Sequence, residues 1–110
     1  VGGVEQDDFL NGAVCIKTLY TPEELLDFTA SIEAEAKRER IVHWGPRTLD
    51  LDILFYDDII MHTDRLTVPH KELHKRSFVL EPMAGIAPYF CHPIYGRTMS
   101  DMFEELKKRD

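Results

Sequence analysis

Between Leu49 and Tyr56 apolar and acidic positions alternate, with Leu49, Leu51 and Ile53 separated by Asp50 and Asp52. Side chains of an extended strand take opposite faces in turn. The pattern therefore predicts a strand with one apolar face and two aspartates side by side on the other. Asp is depleted in strands, and two like charges on one face repel, so the pair calls for a compensating cation. Asp57-Asp58 reads as a turn, and Ile59-Ile60-Met61 is predicted to return as an antiparallel partner of Ile53-Leu54-Phe55. Upstream, Phe9 to Leu19 alternates and is apolar (Leu10, Ala13, Val14, Cys15, Ile16), which predicts another strand. Val1 to Asp8 is Gly-rich, acidic and aperiodic, and reads as a loop.

Elsewhere the period is helical. Thr21-Pro22-Glu23-Glu24 offers a Thr cap, Pro at the first helical position and Glu three residues after the cap. Leu25, Phe28, Thr29, Ile32 and Ala36 keep helical spacing, so a helix is predicted from about Pro22 to about Arg38, with Glu33 beside its apolar stripe. Asp64 to His70 is a short extended piece ending in Pro-His, and Lys71 to Arg76 is a short polar helix or turn. Ser77 to Ala87 is apolar and helical, with Phe78 at its start. Pro88 to Gly96 is a loop. Thr98-Met99-Ser100-Asp101 reads as a second capping box, opening a last helix through Leu106 on Met102, Phe103 and Leu106. Strand, helix, strand hairpin and helices in that order indicate an α+β layer structure, helices packed on a mostly antiparallel sheet.

Composition narrows the chemistry. The 110 residues suit a single domain with a real core, and 44% hydrophobic with 30% charged residues is ordinary for a globular protein. No apolar run approaches the roughly 18 residues of a membrane span. A net charge of −7 argues against general nucleic-acid binding. Two unclustered cysteines, Cys15 and Cys91, form neither a metal site nor a disulfide framework, which points to a reducing, cytoplasmic setting. Against this acidic background Lys37, Arg38, Arg40, His43 and Arg47 form a local basic patch. Oxygen ligands spaced as Asp50 and Asp52 suit Mg²⁺, which takes one or two carboxylates and leaves its remaining positions to water and phosphates. A bare Asp-x-Asp is equally a solvated strand face. The Lys37–Arg40 run is either a solvated helix end or a phosphate-binding group, for which Arg is suited. Asn11 and His70 read as structural residues when taken alone.

His43-Trp44-Gly45-Pro46-Arg47-Thr48-Leu49-Asp50-Leu51-Asp52-Ile53-Leu54 resembles the signature of the 6-hydroxymethyl-7,8-dihydropterin pyrophosphokinases, enzymes of the folate pathway. The resemblance extends over Phe9-Leu10-Asn11, Pro22-Glu23-Glu24-Leu25-Leu26, Ile32-Glu33, Arg65-Leu66-Thr67-Val68-Pro69-His70 and Arg76-Ser77-Phe78, in the same order. It implies a ferredoxin-like α+β fold. It also implies transfer of the β,γ-diphosphate of ATP to the hydroxymethyl group of the pterin, giving AMP and the pterin diphosphate. Asp50 and Asp52 match the ligands of two Mg²⁺ ions, in keeping with a reaction governed by positioning and charge stabilisation. Arg38 and Arg47 match arginines that hold the phosphates and offset developing charge. Phe9 and Phe78 match the aromatics that sandwich the pterin ring, and Asn11 a residue bonding its amide-like edge. Glu33, Arg40, Trp44, Arg65, Thr67, His70 and Arg76 match the ATP pocket or its walls. The partners implied are small molecules, with neither nucleic acid nor membrane, and in some members a fused dihydroneopterin aldolase domain.

The chain departs from the family pattern in four ways. Ala36 or Lys37 stands where a Gly is usual, and Arg40 to Trp44 is one residue shorter than in some members, so the correspondence at Arg38 and Arg40 holds to within a residue. His43 replaces a common Arg. The family's opening strand and helix have no counterpart here, which leads one to expect an exposed sheet edge and an incomplete pterin wall. Two other classes share the same residues: a non-catalytic nucleotide-binding or interaction module, including an inactive fragment of such an enzyme, and another Asp-x-Asp metal enzyme such as a phosphatase or glycosyltransferase. Leu54 stands where one phosphatase class carries Thr.

Overall fold

The structure, a computed structural model, describes residues 10–43, with the backbone alone from residue 39, and residues 49–109. Two compact units divide it, residues 17–71 and residues 72–109 together with 10–16.

In the first unit the predicted capping box closes in both directions. The Thr21 N–H donates to Glu24 Oε1 at 2.9 Å and the Glu24 N–H to Thr21 Oγ1 at 3.2 Å. Helix α1 then spans Pro22–His43, beyond the end predicted near Arg38. The reason is local, because no Gly or Pro interrupts the chain until Gly45-Pro46. The basic residues Lys37, Arg38, Arg40 and His43 therefore belong to the helix.

Strand β1 (Met61–His62) pairs antiparallel with β2 (Thr67–Val68), Met61 opposite Val68 and His62 opposite Thr67. Thr63 shapes the connection, its hydroxyl accepting from Leu66 N–H at 3.1 Å and Arg65 N–H at 3.2 Å, while its own N–H donates to Leu66 O at 2.9 Å. This corrects the predicted hairpin. Asp57 does turn the chain, at φ 51°, a region that Asp tolerates. However, Met61 is drawn into the tight pairing that Thr63 nucleates, and Ile53-Leu54-Phe55 receives no ladder from it. Among the described residues, 49–56 belong to no helix or strand. They are held by the His70 N–H, which donates to Leu54 O at 2.9 Å, and by Ile53, buried with Leu25, Leu66 and Val68 against Leu26, Tyr56 and Met61.

The strand predicted over Phe9–Leu19 is also corrected where it can be seen. Residues 10–18 form no element, and Leu10 and Val14 are 91% and 85% exposed. Apolar alternation makes a strand only where a ladder and a core face meet it, and neither does among the described residues. Phe9 lies outside them.

In the second unit a 3-10 turn, Leu73–Lys75, leads into α2 (Ser77–Ile86), and α3 (Met99–Arg109) packs on both. Leu73, Leu80, Met83, Met99 and Met102 are its core. The link between the helices turns at His92. Its ring Nδ1 accepts from the N–H groups of Ile94 (3.1 Å) and Tyr95 (3.3 Å), and its carbonyl accepts from Gly96 N–H at 2.8 Å. Gly96, at φ 67°, takes the left-handed conformation that closes this turn. Thr98 Oγ1 then caps α3 by accepting from Asp101 N–H at 3.1 Å. Three α-helices and one two-stranded antiparallel sheet among the described residues make the chain α+β, with a smaller sheet than the periodicity predicts. None of these helices is long and apolar enough to cross a membrane.

Candidate active site around Asp50 and Asp52

The acid pair rides on residues 49–56 of the first unit. Leu51 is half-buried and Ile53 buried, while Asp50 and Asp52 are exposed; the predicted alternation of faces holds from Leu51 to Ile53 but not at Leu49, which is 43% exposed. Two backbone tethers flank Asp52. One is His70 N–H to Leu54 O. The other comes from α1, where Glu33 Oε2 accepts from Leu51 N–H at 2.6 Å. Leu26, Thr29, Glu33 and Ala36 lie one above another at helical spacing and are all partly buried. The same face thus carries the core contact at Leu26 and the carboxylate at Glu33.

Among the described residues no group of three or more His, Cys, Asp or Glu side chains could hold a metal ion. Two exposed carboxylates suit Mg²⁺, which relies on water and phosphate for the rest of its shell.

Other predicted residues fall in several places. Arg65 forms an ion pair with Asp27, and its Nη1 lies 3.6 Å from Glu23 Oε1. The Asp27 hydrogen bond, more than its charge, raises the Arg65 pKa above the ordinary value. Thr67 Oγ1 lies 2.7 Å from His62 Nδ1 across the β1–β2 pair. Arg38 is exposed and paired with Glu35 one turn back on α1. In the second unit Arg76 sits over the Phe78 ring, 5.7 Å from its centroid, and Phe78 is 49% exposed at the first turn of α2. Asn11 is exposed and in no element. Phe9, Trp44, Arg47 and the side chain of Arg40 lie outside the described residues. A shallow depression of about 300 Å³ lined by Tyr20, Glu24, Asp27 and Phe28 includes none of the predicted site residues.

Two partners escape sequence reasoning. Asp27, which holds Arg65, has a signal in hindsight: Glu23 and Asp27 are four residues apart on one helix, a like-charged pair that destabilises unless a cation joins it. The Leu51 N–H has none, since a backbone donor is invisible in a residue pattern.

The fold and site define an α+β chain whose exposed acid pair lies on an irregular segment braced by one helix. The profile of the family described as 7,8-dihydro-6-hydroxymethylpterin-pyrophosphokinase (HPPK) matches residues 1–88. The chain belongs to that family. It is 42% identical over 104 residues to a 2-amino-4-hydroxy-6-hydroxymethyldihydropteridine pyrophosphokinase of Synechocystis sp., covering 94% of this chain and 53% of the relative. It is 47% identical over 105 residues to the protein of the same name in Methylorubrum extorquens, covering 96% of this chain and 65% of the relative. A protein of Lactococcus lactis subsp. lactis named bifunctional protein FolKE is 54% identical over 83 residues, 76% of this chain and 24% of that protein. The chain therefore spans only part of the relatives it matches, 53% and 65% of the two pyrophosphokinases.

Proposed function

We propose that this chain supplies the acid pair and much of the nucleotide wall of an ATP-dependent pyrophosphokinase. The enzyme would move the β,γ-diphosphate of ATP to the hydroxymethyl group of 6-hydroxymethyl-7,8-dihydropterin, releasing AMP and the pterin diphosphate for folate synthesis. The observation that carries the reading is the placement of Asp50 and Asp52, both exposed on a segment seated by Ile53, in a chain of the HPPK family. The ferredoxin-like fold, the single pyrophosphokinase domain and a cytoplasmic setting belong to the same proposal. So does fusion or association with a second folate enzyme, for which the resemblance points to a dihydroneopterin aldolase.

Asp50 and Asp52 would hold Mg²⁺, which when bound neutralises the phosphate oxygens and aligns the triphosphate with the attacking hydroxyl. The remaining work falls to the chain itself. Arg38 and Arg47 offset charge that develops on the transferred group, a task suited to permanently charged, planar guanidinium groups. Phe78, half-exposed at the start of α2, and Phe9 stack on the pterin, and Asn11 pairs with its amide-like edge. Glu33, Arg40, Trp44, Arg65, Thr67 and His70 line the ATP pocket, a role the resemblance also assigns to Arg76. For Arg65 this requires exchange of its Asp27 partner for phosphate or ribose oxygens. An exposed ion pair can be exchanged in this way, because water already competes for both groups.

The test is Asp52→Ala, read by AMP release from ATP and hydroxymethyldihydropterin and by calorimetric Mg²⁺ binding in the presence of a non-hydrolysable ATP analogue. Asp52 is exposed and outside the core, so folding survives while turnover and metal binding are lost. Persistent turnover rejects the metal assignment.

A further inference from the structure

We propose that Glu33 is a positioning residue: by accepting the Leu51 N–H it fixes the acid-bearing segment against α1 and sets the direction of Asp50 and Asp52. The inference rests on the reading of those two residues as metal ligands, and it gives Glu33 a task distinct from contact with the nucleotide.

The geometry is specific. Leu51 lies between the two acids, so its peptide N–H is the nearest backbone donor shared by both. Among the described residues Leu51 belongs to no strand, and a peptide N–H shielded from water needs an acceptor. Glu33 supplies it at 2.6 Å, in the short range of charge-assisted bonds. The need is mutual, because a half-buried carboxylate is itself costly unless a donor faces it.

Ile53 seats only the far end of the segment, and His70 N–H holds it at Leu54. Asp52 lies between that anchorage and the Glu33 tether, and Asp50 lies just beyond the tether. Loss of Glu33 would leave residues 49–51 free to swing while 53 and 54 stay in place. Both carboxylates would then sample a wider range of directions. Groups that orient metal ligands from behind typically change metal affinity about 10- to 100-fold when removed.

The discriminating experiment compares Glu33→Ala and Glu33→Gln with the unaltered protein. The readouts are calorimetric Mn²⁺ and Mg²⁺ binding with a non-hydrolysable ATP analogue, and hydrogen exchange at the Leu51 amide. Glu33→Ala is expected to weaken metal binding about tenfold and to speed exchange at Leu51. Glu33→Gln keeps an acceptor oxygen, so it should retain most of the affinity and the protection. Metal affinity unchanged in Glu33→Ala overturns the proposal, and so does a Gln variant as weak as the Ala variant, which would make the Glu33 charge itself the requirement. Asp52→Ala, measured alongside, separates the two levels. If it leaves metal binding intact, the active-site reading fails; if it abolishes binding while Glu33→Ala does not weaken it, only the positioning role fails.

Discussion

Replacing Ile53 by Ala tests whether the acid pair is presented by the core or merely sits beside it. Ile53 is 9% exposed and packs with Leu25, Leu66 and Val68. Truncation removes three carbons, a transfer loss of about 2.4 kcal/mol at about 0.8 kcal/mol per buried methylene. The backbone on either side is tethered at Leu51 and Leu54, which limits collapse into the gap. A residual void of about 50 Å³ adds about 1.2 kcal/mol at ~24 cal/mol per Å³. The total is about 3–4 kcal/mol, inside the range of roughly 2–5 kcal/mol for such truncations, whereas Ile53→Val should cost about 1 kcal/mol. Urea unfolding measures both as a shift in midpoint at constant slope. An Ala variant losing less than about 1 kcal/mol, or no better separated from Val than the error, would refute the reasoning, for the segment would then not be seated on α1 and β2 at all.

Two further outcomes can be measured. Phe78→Ala should raise the KM for the pterin about tenfold with little change for ATP, since Phe78 is half-exposed and its loss removes a stacking surface and little core; equal losses for both substrates reject the stacking role. His92, buried and facing His74, is held below its ordinary pKa of 6.5, first by burial and then by the His74 charge. The unfolded chain therefore binds the proton more readily, and His92 contributes stability above about pH 6.5 that is lost as the pH falls below it. Melting temperatures recorded from pH 7.5 to 5 should decline on the acid side. His92→Asn, which keeps an acceptor for the turn N–H groups, should flatten that decline, and an unaltered pH profile in the variant would assign it to other groups.

Local rules account for what the sequence alone determined. The Thr21 and Thr98 caps, the α-helical periods of α1, α2 and α3, the turn at Asp57 and the alternation of Leu51, Asp52 and Ile53 depend on neighbours a few residues away. Each appears where the residue pattern puts it, although α1 runs a turn longer because no helix breaker intervenes. The exposure of Asp50 and Asp52 follows from the same alternation, and membership of the HPPK family from the order of the motifs. Pairings between distant segments were beyond that reading. The residue pattern paired Met61 with Ile53-Leu54-Phe55, whereas the turn that the Thr63 hydroxyl holds and the burial of Val68 place it against β2. Phe9–Leu19 carries the residues of a strand, yet its described part forms no ladder, because strand structure is a property of two segments and not of one. Glu33 and Arg65 show the same division within the site: the family resemblance marked both for the ATP pocket, while their partners, a backbone N–H eighteen positions away and a helix carboxylate, were fixed only when α1 packed against the rest of its unit.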